Sequence, residues 1–245
     1  MRLLLDLGNT RLKWALHDGD DLRCRGAVAW DDSVADALPE SWSALPRPAA
    51  VFGASVVDAA REQLVALSVA TAYRRDVAWL RTPAAACGVR NAYAEPQRLG
   101  VDRFLAMVAA RADGGAPCVL AGVGTALTLD ALDADGRHLG GLIAPGPRLM
   151  QQSLLGATVQ VRPTHEGTIV EAADNTTDAV ASGCWLAAAA LIERFATRMA
   201  PALGDAPALR LGGGDADALL PLLSLPAQLA HDSVLHGLAV WAAAQ

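Results

Sequence analysis

The residues best suited to chemistry stand near the start of the chain, in Asp6-Leu7-Gly8-Asn9-Thr10-Arg11-Leu12-Lys13. They combine a carboxylate, a glycine, two small polar side chains and a lysine. A turn of this composition can bring backbone N–H groups and a hydroxyl to a phosphate and place a carboxylate for a metal. It can equally be an ordinary hairpin, because Gly-Asn is itself a turn former. A second group is Gly100-Val101-Asp102-Arg103. It sits just before an apolar stretch from Phe104 to Arg111 that reads as a helix, so Asp102 falls at or near a helix N-terminus, where aspartate is a common cap. A third is Gly122-Val123-Gly124-Thr125-Ala126-Leu127-Thr128-Leu129-Asp130.

The elements around these groups follow from hydrophobic pattern. The run Leu3-Leu4-Leu5 leads into the first turn and a second apolar segment leaves it, giving strand, turn and strand. Leu22 to Trp30 reads as a third strand, and Asp32 to Leu45 as a weak helix. Ala49 to Val57 reads as a buried strand with its turn, followed by a helix from Asp58 to Ala70 with Leu64 and Leu67 on one face. Val77 to Leu80 is a short strand. Arg81 to Leu99 is irregular and long enough to suggest function. After Ala112-Asp113-Gly114-Gly115-Ala116-Pro117, strand, Gly-Thr turn and strand recur. Gly124 then falls on Gly8, Thr125 on Asn9, and Gly122 on Asp6. This weak internal repeat predicts two related lobes, residues 1–113 and 114–245, with the last helix free to pack back on the first. Further along, Gly140 to Gly146 is a strand and loop, and Pro147 to Leu155 a short helix. Gly156 to Ala173 is loop-like, and a helix starts at Asn175-Thr176-Thr177. Leu209 to Leu211 is a strand ending in Gly212-Gly213-Gly214-Asp215, and Ala216 to Leu223 and Ser233 to Ala244 are helices. Strands interleaved with helices make the fold class α/β.

Composition narrows the function classes. The 245 residues are 53% hydrophobic and 19% charged, enough for a large core and unlike a disordered chain. The net charge of −6 and the lack of a basic run argue against direct nucleic-acid binding. Cys24, Cys87, Cys118 and Cys184 form no Cys-x-x-Cys pair, so neither a zinc site nor a redox motif is indicated. The N-terminal apolar run is too short for a signal-peptide core, and the longest apolar run, Cys184 to Ile192, is too short to cross a membrane. The expectation is a soluble cytoplasmic protein without membrane contact. Gly122-Val123-Gly124 lacks the third glycine of a dinucleotide fingerprint, and no Gly-Lys-Ser/Thr of a P-loop occurs.

Taken in order, the turns at Asp6, Gly100, Gly124, Gly140 and Gly212 resemble those of the type III pantothenate kinase family, over nearly the whole chain. That family belongs to the acetate and sugar kinase, hsp70 and actin superfamily. The resemblance implies two related ribonuclease-H-like lobes with a nucleotide cleft between them, and transfer of the ATP γ-phosphate to pantothenate to give 4′-phosphopantothenate. This is the first committed step of coenzyme A synthesis. It implies that Asp6 holds Mg²⁺ near the phosphates through water. Residues from Leu7 to Leu12, with Lys13 and with Thr125 from the second lobe, contact ATP. Asp102 takes the proton of the attacking hydroxyl. Tyr93, Gly100, Val101, Asp102, Arg103 and Thr176 form the pantothenate site at a homodimer interface. The loop Gly212-Gly213-Gly214-Asp215 would flank the nucleoside. On their residue types alone, Arg103 could instead be a structural ion pair, Tyr93 core packing, Thr176 a helix cap and the Gly212 loop a plain turn. Asp130 and the Gly140 to Gly146 loop are read as structural. Many relatives carry an aspartate where this chain has Gly122, and use it for a monovalent cation. The K⁺ or NH₄⁺ site is therefore in doubt. Two other functions fit the same chain: a transcription accessory factor of this family, and another small-molecule kinase of the superfamily.

Overall fold

The structure, a computed structural model, describes residues 1–19, 21–31, 34–157, 167–204 and 207–245. Asp20, Asp32 and residues 158–166 of the loop expected between Gly156 and Ala173 lie outside the described residues. The chain forms two compact units, residues 1–114 with 232–245, and residues 115–231.

In the first unit, β1 (Arg2–Leu7), β2 (Arg11–His17) and β3 (Leu22–Ala29) form an antiparallel meander. Helix α1 (Val34–Trp42) leads to β4 (Ala50–Ser55), and α2 (Ala59–Tyr73) leads to β5 (Val77–Leu80). Both of these strands are parallel to β1, and the sheet order is β3-β2-β1-β4-β5. Alternate residues of a strand face opposite sides. Leu3, Leu5 and Leu7 pack in one cluster with Leu38, Trp42, Val65, Val69 and Tyr73 of α1 and α2. Leu4 and Ala15 pack in the other with Val101, Leu105, Leu235 and Leu238. Those last residues belong to α3 (Val101–Ala112) and α7 (Ser233–Ala243). Asp6 lies in register with Lys13 on β2, and period two puts both on the α3/α7 side. The two helices approach closely because residue 237 is glycine: a Cβ there would stand 2.0 Å from the carbonyl oxygen of Leu105.

The segment expected to be irregular contains a short hairpin, β6 (Ala85–Ala86) with β7 (Val89–Arg90), and a 3₁₀ turn at Pro96–Arg98. One expectation fails. Leu67 of α2 is 61% exposed, and the buried face of α2 runs through Val65, Val69 and Tyr73 at i, i+4 and i+8.

The second unit repeats the plan. β8 (Cys118–Val123), β9 (Ala126–Leu132) and β10 (His138–Pro145) form the meander. β11 (Ala208–Gly212) and β12 (Ala227–Leu229) run parallel to β8, in the order β10-β9-β8-β11-β12. Helices α4 (Pro147–Ala157) and α5 (Thr176–Leu203) precede β11, and α6 (Ala216–Leu219) follows it. The three-residue β12 has no counterpart among the strands expected from sequence. Helix α5 is long and apolar enough to cross a membrane by length and composition, yet half of its most apolar stretch is buried, with Trp185, Ala188, Ile192 and Phe195 in the unit's core. Asp130 pairs with the buried His138 at 2.9 Å, a structural use that joins β9 to β10.

Candidate active site

The first turn is a hairpin with a specific brace. The Gly8 N–H donates to the Arg11 carbonyl at 3.2 Å, which closes the turn over Asn9 and Thr10. Trp30, beyond β3, grips it from outside. Its indole Nε1–H donates to the Gly8 carbonyl at 2.6 Å, and its backbone N–H donates to the Thr10 carbonyl at 3.2 Å. Two turn carbonyls are thereby engaged, while Asn9 and Thr10 stay exposed. Leu7 and Leu12 are fully buried, so these two can meet a ligand only through their backbone.

Asp6 is the last residue of β1 on the α3/α7 side. Its carboxyl is pushed up to about 7, first by burial and then by the negative charge of Asp102, with Asp232 adding to the rise. Lys13 and Arg11 pull it down. Three carboxylates and two cations thus act on one another around the mouth of β1, including Asp6, Lys13 and Asp102 from the sequence expectations. A buried carboxylate held near neutrality is a frequent mark of a functional site.

Asp102 lies in the first turn of α3 and is not its cap; Gly100 is the N-cap. The Asp102 Oδ1 folds back and accepts the Arg103 N–H at 2.9 Å. A Cβ on residue 100 would stand 2.5 Å from that same oxygen. The glycine of Gly-Val-Asp-Arg therefore makes room for the carboxylate. Arg103 is buried, and its Nη1 donates to the Tyr93 hydroxyl at 3.2 Å with the guanidinium over the ring at 5.9 Å. Tyr93 and Arg103 are brought together, and Tyr93 is held by its loop rather than packed in a core. Asn91 organises that loop: its Oδ1 accepts the Tyr93 N–H at 2.9 Å and its Nδ2 donates to the Pro96 carbonyl at 3.0 Å. The Thr82 hydroxyl ties the loop's end, donating to the Leu99 carbonyl at 2.7 Å.

In the second unit the matching turn is one residue tighter. The Gly124 N–H donates to the Ala126 carbonyl at 3.1 Å, leaving Thr125 exposed at the tip. Gly146 backs it: its N–H donates to the Thr125 carbonyl at 2.9 Å, and a Cβ at that position would lie 1.8 Å from the Gly124 oxygen. Gly213, at φ +99°, approaches Val123 so closely that a Cβ would lie 2.2 Å from its carbonyl oxygen. Asp215, at the end of that loop, pairs with Arg148 at 2.8 Å. Gly122 occupies the register position of Asp6: each is the second-last residue of the first strand, paired to the meander on one side and to a parallel strand on the other. Its missing side chain is replaced by a neighbour, since a Cβ on residue 122 would meet the Thr128 hydroxyl at 2.5 Å.

Thr176 is the first residue of α5, and the cap is Asn175, whose Oδ1 accepts the Asp178 N–H at 3.0 Å. Thr176 lines an apolar cavity of about 760 Å³ with Pro145, Met150, Leu154, Val180 and Cys184. Trp30, Gly146 and Asp232 are the functional candidates that sequence reasoning missed. Each acts on a turn or side chain distant in sequence, so no local motif marks it.

A profile described as type III pantothenate kinase matches residues 2–198. A type III pantothenate kinase of Xanthomonas campestris pv. campestris (strain B100) is 46% identical over 239 residues, covering 98% of this chain and 96% of the relative. One of Stenotrophomonas maltophilia (strain K279a) is 45% identical over 245 residues, covering 99% and 97%. Among solved structures, a Campylobacter jejuni protein assigned to the Baf family of transcriptional activators aligns with a TM-score of 0.61 at 18% identity, over 96% of this chain and 94% of that one. The activator of 2-hydroxyisocaproyl-CoA dehydratase from Clostridium difficile, with bound ADPNP, aligns at 0.55 and 12%, over 98% and 92%. At such identities the structural likeness speaks for the fold alone. The full-length sequence matches speak for more, and on them the chain belongs to the type III pantothenate kinase family.

Proposed function

We propose that the chain transfers the γ-phosphate of ATP to the hydroxyl of pantothenate, with Asp102 as the base and the Asp6–Lys13 turn as a phosphate site. The observation that carries this reading is the convergence of Asp6, Lys13 and Asp102 on one side of β1, next to a turn whose carbonyls are engaged by Trp30. In the transfer, the hydroxyl oxygen forms a bond to the γ-phosphorus as the bond from that phosphorus to the bridging oxygen breaks. ADP leaves with the electron pair, and the hydroxyl proton passes to Asp102. Phosphoryl transfer needs mostly alignment and charge stabilisation, so a carboxylate, a lysine and a backbone cradle suffice from the protein.

Asn9 and Thr10 donate to phosphate oxygens, with the backbone of Leu7, Gly8, Arg11 and Leu12 shaping the turn that presents them, and Thr125 is a further donor to ATP. Arg103, at the N-terminus of α3 with Tyr93 beside it, suits the carboxylate of pantothenate. Gly100 and Val101 complete that site, and Thr176 is a further candidate for contact with pantothenate. Mg²⁺ fits Asp6. Mg²⁺ keeps much of its water and also takes phosphate oxygens, so it asks few ligands of the protein. When bound, Mg²⁺ neutralises charge on the phosphates. A cation also relieves a buried carboxylate that is otherwise penalised.

The proposed protein is a cytoplasmic homodimer. The exposed Ile143 of β10 and the exposed Leu154 of α4, which lines the apolar cavity, support an interface on these two elements. It also needs less monovalent cation than relatives that carry an aspartate at this position, because Gly122 offers no carboxylate and Thr128 fills its space. The rate is therefore expected to change little with K⁺ or NH₄⁺ at fixed ionic strength; a steep rise with K⁺ would overturn this point. The function itself is tested by ADP release from ATP with pantothenate, set against glucose, acetate and 2-dehydro-3-deoxygalactonate as acceptors. Turnover with pantothenate alone is expected. Turnover with a sugar and none with pantothenate would contradict the reading.

A further inference from the structure

We infer that Asp232 is a positioning residue of the kinase site, one that holds Lys13 away from Asp6 so that the lysine stays available to phosphate and Asp6 to the cation. The inference rests on the kinase reading above. Asp232 stands 219 residues from Lys13 in sequence, yet its Oδ1 accepts from the Lys13 Nζ at 3.3 Å. Its Oδ2 accepts from the Arg25 Nη1 at 3.2 Å. The pair is sheltered: Asp232 exposes 20% of its side chain and Lys13 28%.

Two features set this contact apart from an incidental surface pair. Asp232 is the N-cap residue of α7, where an aspartate ordinarily accepts the helix's own N–H groups, yet its side chain makes no capping bond. The carboxylate is spent on the two cations instead. Its backbone is also left-handed, at φ 53° and ψ 24°, a conformation that costs energy in a non-glycine residue. Both costs are accepted at the residue that reaches Lys13.

The alternative partner of Lys13 explains why this matters. Lys13 is the cross-strand neighbour of Asp6, and facing side chains in such a pair lie within reach of each other. A lysine stem is flexible and its ammonium has three donors. Without Asp232, the ammonium would settle on Asp6. That pairing would cancel the charge Asp6 offers to Mg²⁺ and remove the lysine from the phosphate at once. With Asp232 in place, the two opposite charges remain separate.

The test is calorimetric binding of a non-hydrolysable ATP analogue at a series of Mg²⁺ concentrations, which needs no turnover. Asp232→Asn keeps the left-handed backbone preference, and Asp232→Gly serves if the asparagine variant does not fold. Either is expected to weaken binding about tenfold, the size expected for loss of one charge-assisted contact, and to raise the Mg²⁺ needed for half-maximal binding, the ammonium's fall onto Asp6 outweighing the relief that loss of the Asp232 charge gives that carboxyl. Lys13→Met is expected to weaken binding without raising the Mg²⁺ requirement. The double variant Lys13→Met/Asp232→Asn should then match Lys13→Met alone, because no ammonium remains to fall on Asp6. Wild-type affinity and Mg²⁺ dependence in Asp232→Asn, or losses that multiply in the double variant, would overturn the positioning role. A wild-type protein that binds no nucleotide at any Mg²⁺ concentration would instead take down the kinase reading, and this role with it.

Discussion

Asparagine in place of Asp102 is expected to lower kcat about 10³-fold, within the range for removal of a general base in a positioned site. Nucleotide affinity should survive. The Asp102 charge is the second cause of the raised Asp6 carboxyl, after burial. Its removal lets Asp6 ionise more readily at neutral pH, which favours Mg²⁺ binding. The variant is therefore expected to bind the ATP analogue at least as tightly as the wild type while turning over almost nothing. Folding should be little changed, since Gly100 and not Asp102 is the N-cap of α3, and asparagine's amide oxygen can still accept the Arg103 N–H. Steady-state kinetics with calorimetry on the same preparation check this. A kcat within threefold of wild type would show that Asp102 is not the base.

The second large effect runs in opposite directions for stability and activity. Asp6→Asn is expected to abolish turnover and to stabilise the unliganded protein at pH 8. The Asp6 carboxyl is raised from 3.8 to about 7, so the folded chain holds a proton there that the unfolded chain has released. The folded state binds the extra proton between those two values. Its stability therefore falls as pH rises from about 4 to about 7, and the full loss stands above 7. At 1.36 kcal/mol per pKa unit this reaches up to about 4 kcal/mol, less whatever the partial exposure of Asp6 removes. Asparagine carries no charge and escapes that loss. Thermal unfolding should show Asp6→Asn above wild type at pH 8 and level with it near pH 4. Saturating Mg²⁺ and ATP analogue should close the gap at pH 8, because only the wild type gains from the ligand. A variant less stable than wild type at pH 8 would mean that the carboxylate is not under strain.

Much of this arrangement is legible in the residues. The apolar run ending in Asp-x-Gly-Asn-Thr gives β1, the turn and β2, because both period and turn chemistry are local. The equivalence of Asp6 with Gly122 follows from spacing alone, and the two sheets put both residues at the same register position. The difference between the turns, closed at Arg11 in one and at Ala126 in the other, is set by a single residue of loop length. Asp102 is legible as a residue of a helix start, although its glycine neighbour, and not the aspartate, takes the cap.

What could not be read is carried by contacts over long sequence distances. The bond from Trp30 to Gly8 depends on where β3 ends relative to the turn, and nothing in the tryptophan's own neighbourhood announces it. Asp232 looks like a helix cap in sequence, and only the return of α7 to the first unit turns its carboxylate toward Lys13. Gly237 looks like a poor helix residue until the approach to Leu105 is seen. Leu67 misleads for a simpler reason: Leu64 and Leu67 are three apart, while the tertiary contacts choose the stripe four apart through Val65 and Val69. Gly146 is a loop glycine by composition, yet it is the backing of the second turn.

The measurement closest to the central claim follows both products at once, by mass spectrometry of pantothenate incubated with ATP, Mg²⁺ and either wild type or Asp102→Asn. The wild type is expected to form 4′-phosphopantothenate and ADP in equal amounts, and Asp102→Asn to bind nucleotide while forming neither beyond trace. ADP from the wild type without phosphorylated pantothenate, or product at the wild-type rate from Asp102→Asn, would contradict that claim.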